Sequence, residues 1–247
     1  MFDSFGSVPV VSISDAQRGP VPQARWVQTV HHGLPEHLLG PRPVKPSYLA
    51  VLGRIAPEKA IDQAIRIAVR CNLPLKIAAK VDRADREYYE QQIRPLMDLP
   101  GIEYIGEIAD REKAEFLSGA QALLMPIDWP EPFGLVMIEA MACGTPVIAY
   151  RSGSVPEVVE HGLTGFIVEN EVEAADVIAN QLWRLSRPRI RACFEKRFTA
   201  RRMAGDYLEI YHGLLASRAR RQRSVNGKSS PLHRHQNGID GGVYVGD

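Results

Sequence analysis

Cysteine is scarce in these 247 residues: Cys71, Cys143 and Cys193 are odd in number and widely spaced. That argues against a disulfide framework or a zinc site, and no metal is expected; a reducing cytoplasm is the expected setting. An excess of one charge sign is missing too, since 30 Lys plus Arg face 29 Asp plus Glu. Without a body-wide basic field, nucleic acid is not an expected partner, and an anionic ligand has to be held by a local site. No apolar run reaches the length of a membrane span, and the opening MFDSFG lacks the charged and apolar regions of a signal peptide. Neither a transmembrane segment nor export is expected.

What the chain does have is enough apolar residue, 45%, to bury a full core. From Tyr48 onward, short runs of Val, Ile and Leu alternate with amphipathic segments. Strands are expected at 48–52, 75–79, 102–105, 122–127, 147–150 and 166–168, and helices at 58–71, 84–96, 110–118, 134–143, 155–160 and 172–185. This is the pattern of an α/β fold, a Rossmann-like parallel sheet with helices on both faces, whose ligands lie at the carboxyl ends of the strands. Residues 47–216 are expected to form that domain. Residues 1–46 hold two strand-like pieces, 8–14 and 26–30, without a helix to cover a sheet, and look like the remnant of another domain. Residues 217–247 are basic, polar and poor in apolar side chains, and are expected to be a disordered tail.

The run Pro126-Ile127-Asp128-Trp129-Pro130-Glu131-Pro132-Phe133-Gly134-Leu135 leaves a buried strand, passes three prolines and enters a helix. Gly134 lets backbone approach a ligand, and the first amides of the helix lack internal partners, so they suit an anion without a metal. Glu131 and Glu139 are eight positions apart, which fits two separate acceptors of hydroxyl hydrogen bonds; each alone reads more readily as a charge near a helix start. Gly53-Arg54 and Lys59 follow the first long strand and suit phosphate, or else are solvated surface charge. Asp110 reads as a helix N-cap. His31, His32 and His37 read as loop histidines without a ligand role, since Gly33 and Pro35 break any helix that would align them. His233 and His235 fall in the polar tail, and the arginines 218–223 read as a solvated charge run.

Glu131 to Glu139 is an E-x7-E pattern. With Gly144-Thr145-Pro146-Val147, Gly53-Arg54 and Lys59, Gly106 to Lys113, Gly153-Ser154-Val155-Pro156-Glu157 and Gly162-Leu163-Thr164-Gly165 in order, it resembles the retaining glycosyltransferases of family 4, which have the two-domain GT-B fold. The resemblance implies that this chain is the donor half of such an enzyme, binding a UDP- or GDP-sugar with no cofactor and no obligatory metal. It implies that Arg54 and Lys59 bind the donor diphosphate, that Phe133, Gly134 and Leu135 offer it backbone amides, that Glu139 holds the ribose, and that Glu131 orients the transferred sugar. Ile108 and Lys113 would lie beside the nucleobase. Ala79-Lys80 departs from the glycine common after that strand. Transfer would occur at the front face with retention, and an N-terminal acceptor domain, mostly absent here, would be supplied elsewhere. A free-standing nucleotide-sugar-binding module and an inactive remnant of a truncated enzyme are the alternatives. Nucleotide-sugar epimerases of similar architecture rank below these, since they lack this combination of motifs.

Overall fold

In the computed structural model, which describes residues 6–226, a six-stranded sheet is built from strands buried on both sides. On β3 (Tyr48–Ile55), Leu49, Ala50 and Val51 are all buried, with Ala50 facing one core cluster and Leu49 and Val51 the other. A central strand of this kind needs helices on both faces, and the chain supplies them. β4 (Leu75–Val81) and β5 (Ile102–Gly106) lie on one side of β3, and β6 (Ala120–Met125), β7 (Val147–Tyr150) and β8 (Gly165–Val168) on the other. The order β5-β4-β3-β6-β7-β8, all parallel, reverses direction between β3 and β6. Crossovers leaving these two strands diverge, and the crevice beyond their carboxyl ends is where such sheets bind ligands.

The helices differ in detail from the sequence reading. The expected helix at 58–71 is a 3-10 turn, Pro57–Lys59, then left-handed Ala60, then α1 (Ile61–Cys71). The segment at 84–96 is a 3-10 turn (Arg83–Asp85), α2 (Arg86–Tyr88), a π turn (Tyr89–Ile93) and α3 (Arg94–Met97). Pro95 has no N–H and its ring collides with the carbonyl four residues back, so the turn before it widens. α4 (Asp110–Ser118), α5 (Leu135–Ala142) and α6 (Val155–Val158) stand close to where they were expected. α7 (Glu171–Asn180) stops where Gln181 leaves helical geometry, and a 3-10 turn, Leu182–Arg184, completes the segment. α8 (Arg187–Arg197) and α9 (Ala200–Asn226) follow.

Residues 217–226 therefore belong to a helix rather than a structureless tail. Ala, Arg and Gln are good helix formers, and extending an existing helix adds one hydrogen bond per residue without a new nucleus. The rest of 217–247, with His233 and His235, lies outside the described residues. By backbone contacts the chain divides at 207/208, into Met1–Tyr207 and Leu208–Asp247. The described part of the second unit is helical.

The N-terminal segment is part of the first unit because it is tied to it. β1 (Val10–Ser12) and β2 (Trp26–Thr29) pair in parallel as a separate two-stranded sheet. Ser14 Oγ donates to the Pro132 carbonyl at 2.5 Å, Glu157 accepts from the amides of Asp15 and Ala16 at 2.7 and 2.8 Å, and Leu34 bridges Thr199.

Candidate functional site

The loop after β6 is held from both sides. Ser154 N donates to the Glu131 carbonyl at 2.9 Å, Ser152 Oγ donates to the Trp129 carbonyl at 2.5 Å, and Asp128 N donates to the Glu58 carbonyl at 3.1 Å. Gly153 has φ +51°, and a Cβ there would overlap the Glu131 carbonyl oxygen and stand 2.7 Å from the Pro130 carbonyl carbon. The loop can lie this close only because that position is glycine. Gly134, left-handed at φ 75°, caps α5, and a Cβ there would sit 2.7 Å from Met137 Cε and 2.9 Å from Met125 Cε. Phe133 is buried, so its contribution to a ligand is its backbone.

A cavity of about 320 Å³ opens at the β3/β6 crevice, with Lys59, Glu131, Phe133, Gly134 and Leu135 on its walls. Lys59 Nζ donates to Glu131 Oε2 at 2.5 Å across it. Ile13, and His32, which the sequence reading took for a loop histidine without a ligand role, also line it. Sequence offered no signal for them, because they sit more than ninety positions from the loop they face.

The remaining candidates are placed nearby in separate arrangements. Glu139 is buried in the second turn of α5, where its Oε1 accepts from Lys113 Nζ at 3.0 Å. Lys113 also pairs with Asp110 at 3.0 Å. Burial works against the Lys113 charge, yet its bonds to Asp110 and Glu139 outweigh it and raise the ammonium pKa. Asp110 is not the N-cap of α4: Ala109 holds that place, and Glu112 accepts from its amide at 2.8 Å, which leaves Asp110 free to pair with Lys113. Ile108 packs against the core cluster under α4 and α5.

Arg54 differs most from expectation. The strand does not end at Leu52; β3 continues through Gly53 and Arg54 to bury Ile55, pairing Arg54 with Lys80 and Ile55 with Val81 on β4. The Arg54 guanidinium donates to Glu58 at 2.5 Å and Asp85 at 2.7 Å, with Asp82 at 3.9 Å. β6 begins at Ala120, against Tyr48, and ends before Pro126, which has no N–H for the ladder. Cys71, Cys143 and Cys193 are all free thiols, and burial pushes Cys143 up to about 11. Among the described residues no helix is long and apolar enough to cross a membrane, and no cluster of His, Cys, Asp and Glu is arranged to hold a metal ion.

Residues 40–196 match the family Glycosyl transferases group 1. The chain belongs to that family. Relatives at the sequence level include an uncharacterized 41.2 kDa protein in the cps region of Klebsiella pneumoniae, 35% identical over 44% of this chain and 32% of its own length. N-acetyl-alpha-D-glucosaminyl L-malate synthase of Bacillus anthracis is 35% identical over 41% of this chain and 28% of its own. D-inositol 3-phosphate glycosyltransferase of Saccharomonospora viridis is 30% identical over 68% of this chain and 43% of its own. The chain thus spans less than half the length of these curated relatives. The fold matches GT-B glycosyltransferase structures: Anabaena HepE in complex with UDP and glucose has a TM-score of 0.74 at 20% identity, over 86% of this chain and 65% of that one. Sucrose-phosphate synthase from Thermosynechococcus elongatus has a TM-score of 0.73 at 23% identity, over 85% of this chain and 59% of that one.

Proposed function

We propose that this group 1 glycosyltransferase chain binds a nucleoside-diphosphate sugar, a UDP- or GDP-sugar, as the donor half of a retaining transferase. The observation that carries this reading is the crevice cavity, in which the start of α5 meets the Lys59–Glu131 pair. The α5 amides and the helix dipole suit the diphosphate, so no metal is needed to hold it. Glu131 spends its charge on Lys59 until sugar hydroxyls reach it; hydroxyls that take over the carboxylate release Lys59 toward the phosphates. Arg54 has to exchange Glu58 and Asp85 for phosphate oxygens, a trade of one set of charge-assisted bonds for another. Glu139 accepts from the ribose diol, and Ile108 with the Lys113 segment flanks the base.

In the transfer step, the acceptor attacks on the face from which the diphosphate leaves, so configuration is retained. Lys59 and Arg54 offset the negative charge growing on the leaving group. Three free thiols accord with a cytoplasmic setting. A ligand that binds only the folded state raises the melting temperature, so UDP-glucose or GDP-mannose at millimolar concentration is expected to shift it upward by several degrees. No shift with any common UDP- or GDP-sugar would remove the donor-site reading.

A further inference from the structure

His32 stands in the donor cavity on a rigid mount. Its carbonyl accepts from Arg202 Nη2 at 3.1 Å, and the neighbouring His31 carbonyl accepts from the same nitrogen at 2.6 Å. Gly33 presses against the Thr199 backbone so closely that a Cβ would overlap it. On the far side, Leu34 N donates to the Phe198 carbonyl at 2.9 Å and Ala200 N to the Leu34 carbonyl at 2.8 Å. The ring packs edge-on against Phe133, centroids 5.0 Å apart at 85°. Its nitrogens take no hydrogen bond from protein among the described residues, although Lys59 and Glu131 line the same cavity.

Burial first, then the nearby Arg202 and His31, lowers the His32 pKa, so the imidazole is neutral at pH 7. A neutral imidazole carries one N–H and one lone pair. A diphosphate oxygen can only accept, and it already has lysine and helix amides available. A sugar hydroxyl both donates and accepts, and it matches the ring on both counts.

Resting on the donor-site reading above, we propose that His32 hydrogen-bonds a hydroxyl of the donor's sugar and, together with Glu131, makes the site prefer the nucleotide sugar over the bare nucleotide. The N-terminal segment is then a wall of the donor site. One lost hydrogen bond in a cavity of this kind corresponds to roughly a tenfold change in affinity.

Titration calorimetry of the 247-residue chain with UDP-glucose against UDP, and GDP-mannose against GDP, tests this. His32→Ala is expected to weaken the sugar nucleotide roughly tenfold and to leave the matching nucleotide within about twofold. His32→Asn, whose amide keeps a donor and an acceptor, is expected to restore part of the loss, and it carries the test if the alanine variant is not folded. Equal losses for sugar nucleotide and nucleotide, or no loss in either variant, overturn the proposal while the donor site stands. A wild-type chain that binds neither nucleotide nor sugar nucleotide overturns the donor-site reading itself, and this proposal with it.

Discussion

Glu131 and Glu139 are eight positions apart in sequence but meet different lysines, Lys59 and Lys113. The two pairs predict different losses. Glu139→Ala removes a buried acceptor next to the proposed ribose position, so UDP and UDP-glucose should weaken together, by roughly tenfold or more. Glu131→Ala frees Lys59 for phosphate, so UDP should stay within about threefold while the advantage of UDP-glucose over UDP disappears. Calorimetry on both variants checks this, and parallel losses in the two variants would refute the division. These carboxylates were legible in the sequence because they lie on one continuous strand, loop and helix start. The placement of His32 was not, because it is set by Phe133, Arg202 and Thr199, which are far away along the chain. The carboxylates that hold Arg54 were hidden for the same reason: Asp82 and Asp85 reach it across the β3–β4 pair.

At the scale of elements, the sheet was legible nearly residue by residue, since buried parallel strands write themselves as short apolar runs. The ends were harder. Gly53 reads as a turn in sequence, yet the strand runs on through it to bury Ile55, a tertiary gain invisible to local pattern. Local pattern also hid the clamp that positions the loop after β6. The loop after β7 presses Gly153 against Glu131, and Ser152 and Ser154 bond to the same stretch. Gly153→Ala adds a methyl where backbone already lies and forces an L residue to keep a left-handed φ. Overpacking of this kind costs about 1–3 kcal/mol. Thermal unfolding should show a melting temperature lower by several degrees, and the displaced Glu131 should weaken UDP-glucose more than UDP. A variant that melts with the wild type would show that the two loops do not bear on each other.

Across the first unit, arginines that reach backbone carbonyls join elements, alongside inter-element ion pairs such as Lys113–Glu139 and Arg66–Glu171. Arg187 donates to Ser118 and Ala120, Arg197 to Glu157 and Val158, and Arg202 to His31 and His32. Arg191 on α8 does most: Nη1 donates to the Leu39 and Ala142 carbonyls at 2.8 and 2.7 Å, Nη2 to the Glu36 carbonyl at 3.0 Å, and Nε to Glu195 at 2.8 Å. One planar guanidinium thereby joins the segment before β3 to the end of α5, and that α5 begins at the crevice cavity. No sequence pattern announces such a bond, since a carbonyl is available at every residue and only the fold decides which one is near. Arg191→Met keeps an unbranched apolar stem but removes the guanidinium that lies over the Phe194 ring and leaves these carbonyls without their donor. The cost should be about 2–4 kcal/mol, which for a chain of this size lowers the melting temperature by roughly 5–12 °C. Arg191→Lys should recover less than half of that, because a single ammonium cannot span three carbonyls set for a planar fork. If calorimetric unfolding shows Arg191→Met within 2 °C of the wild type, or Arg191→Lys equal to it, the stapling role is wrong and the N-terminal segment must be held to the sheet mainly by its contacts at Ser14, Leu34 and Glu157.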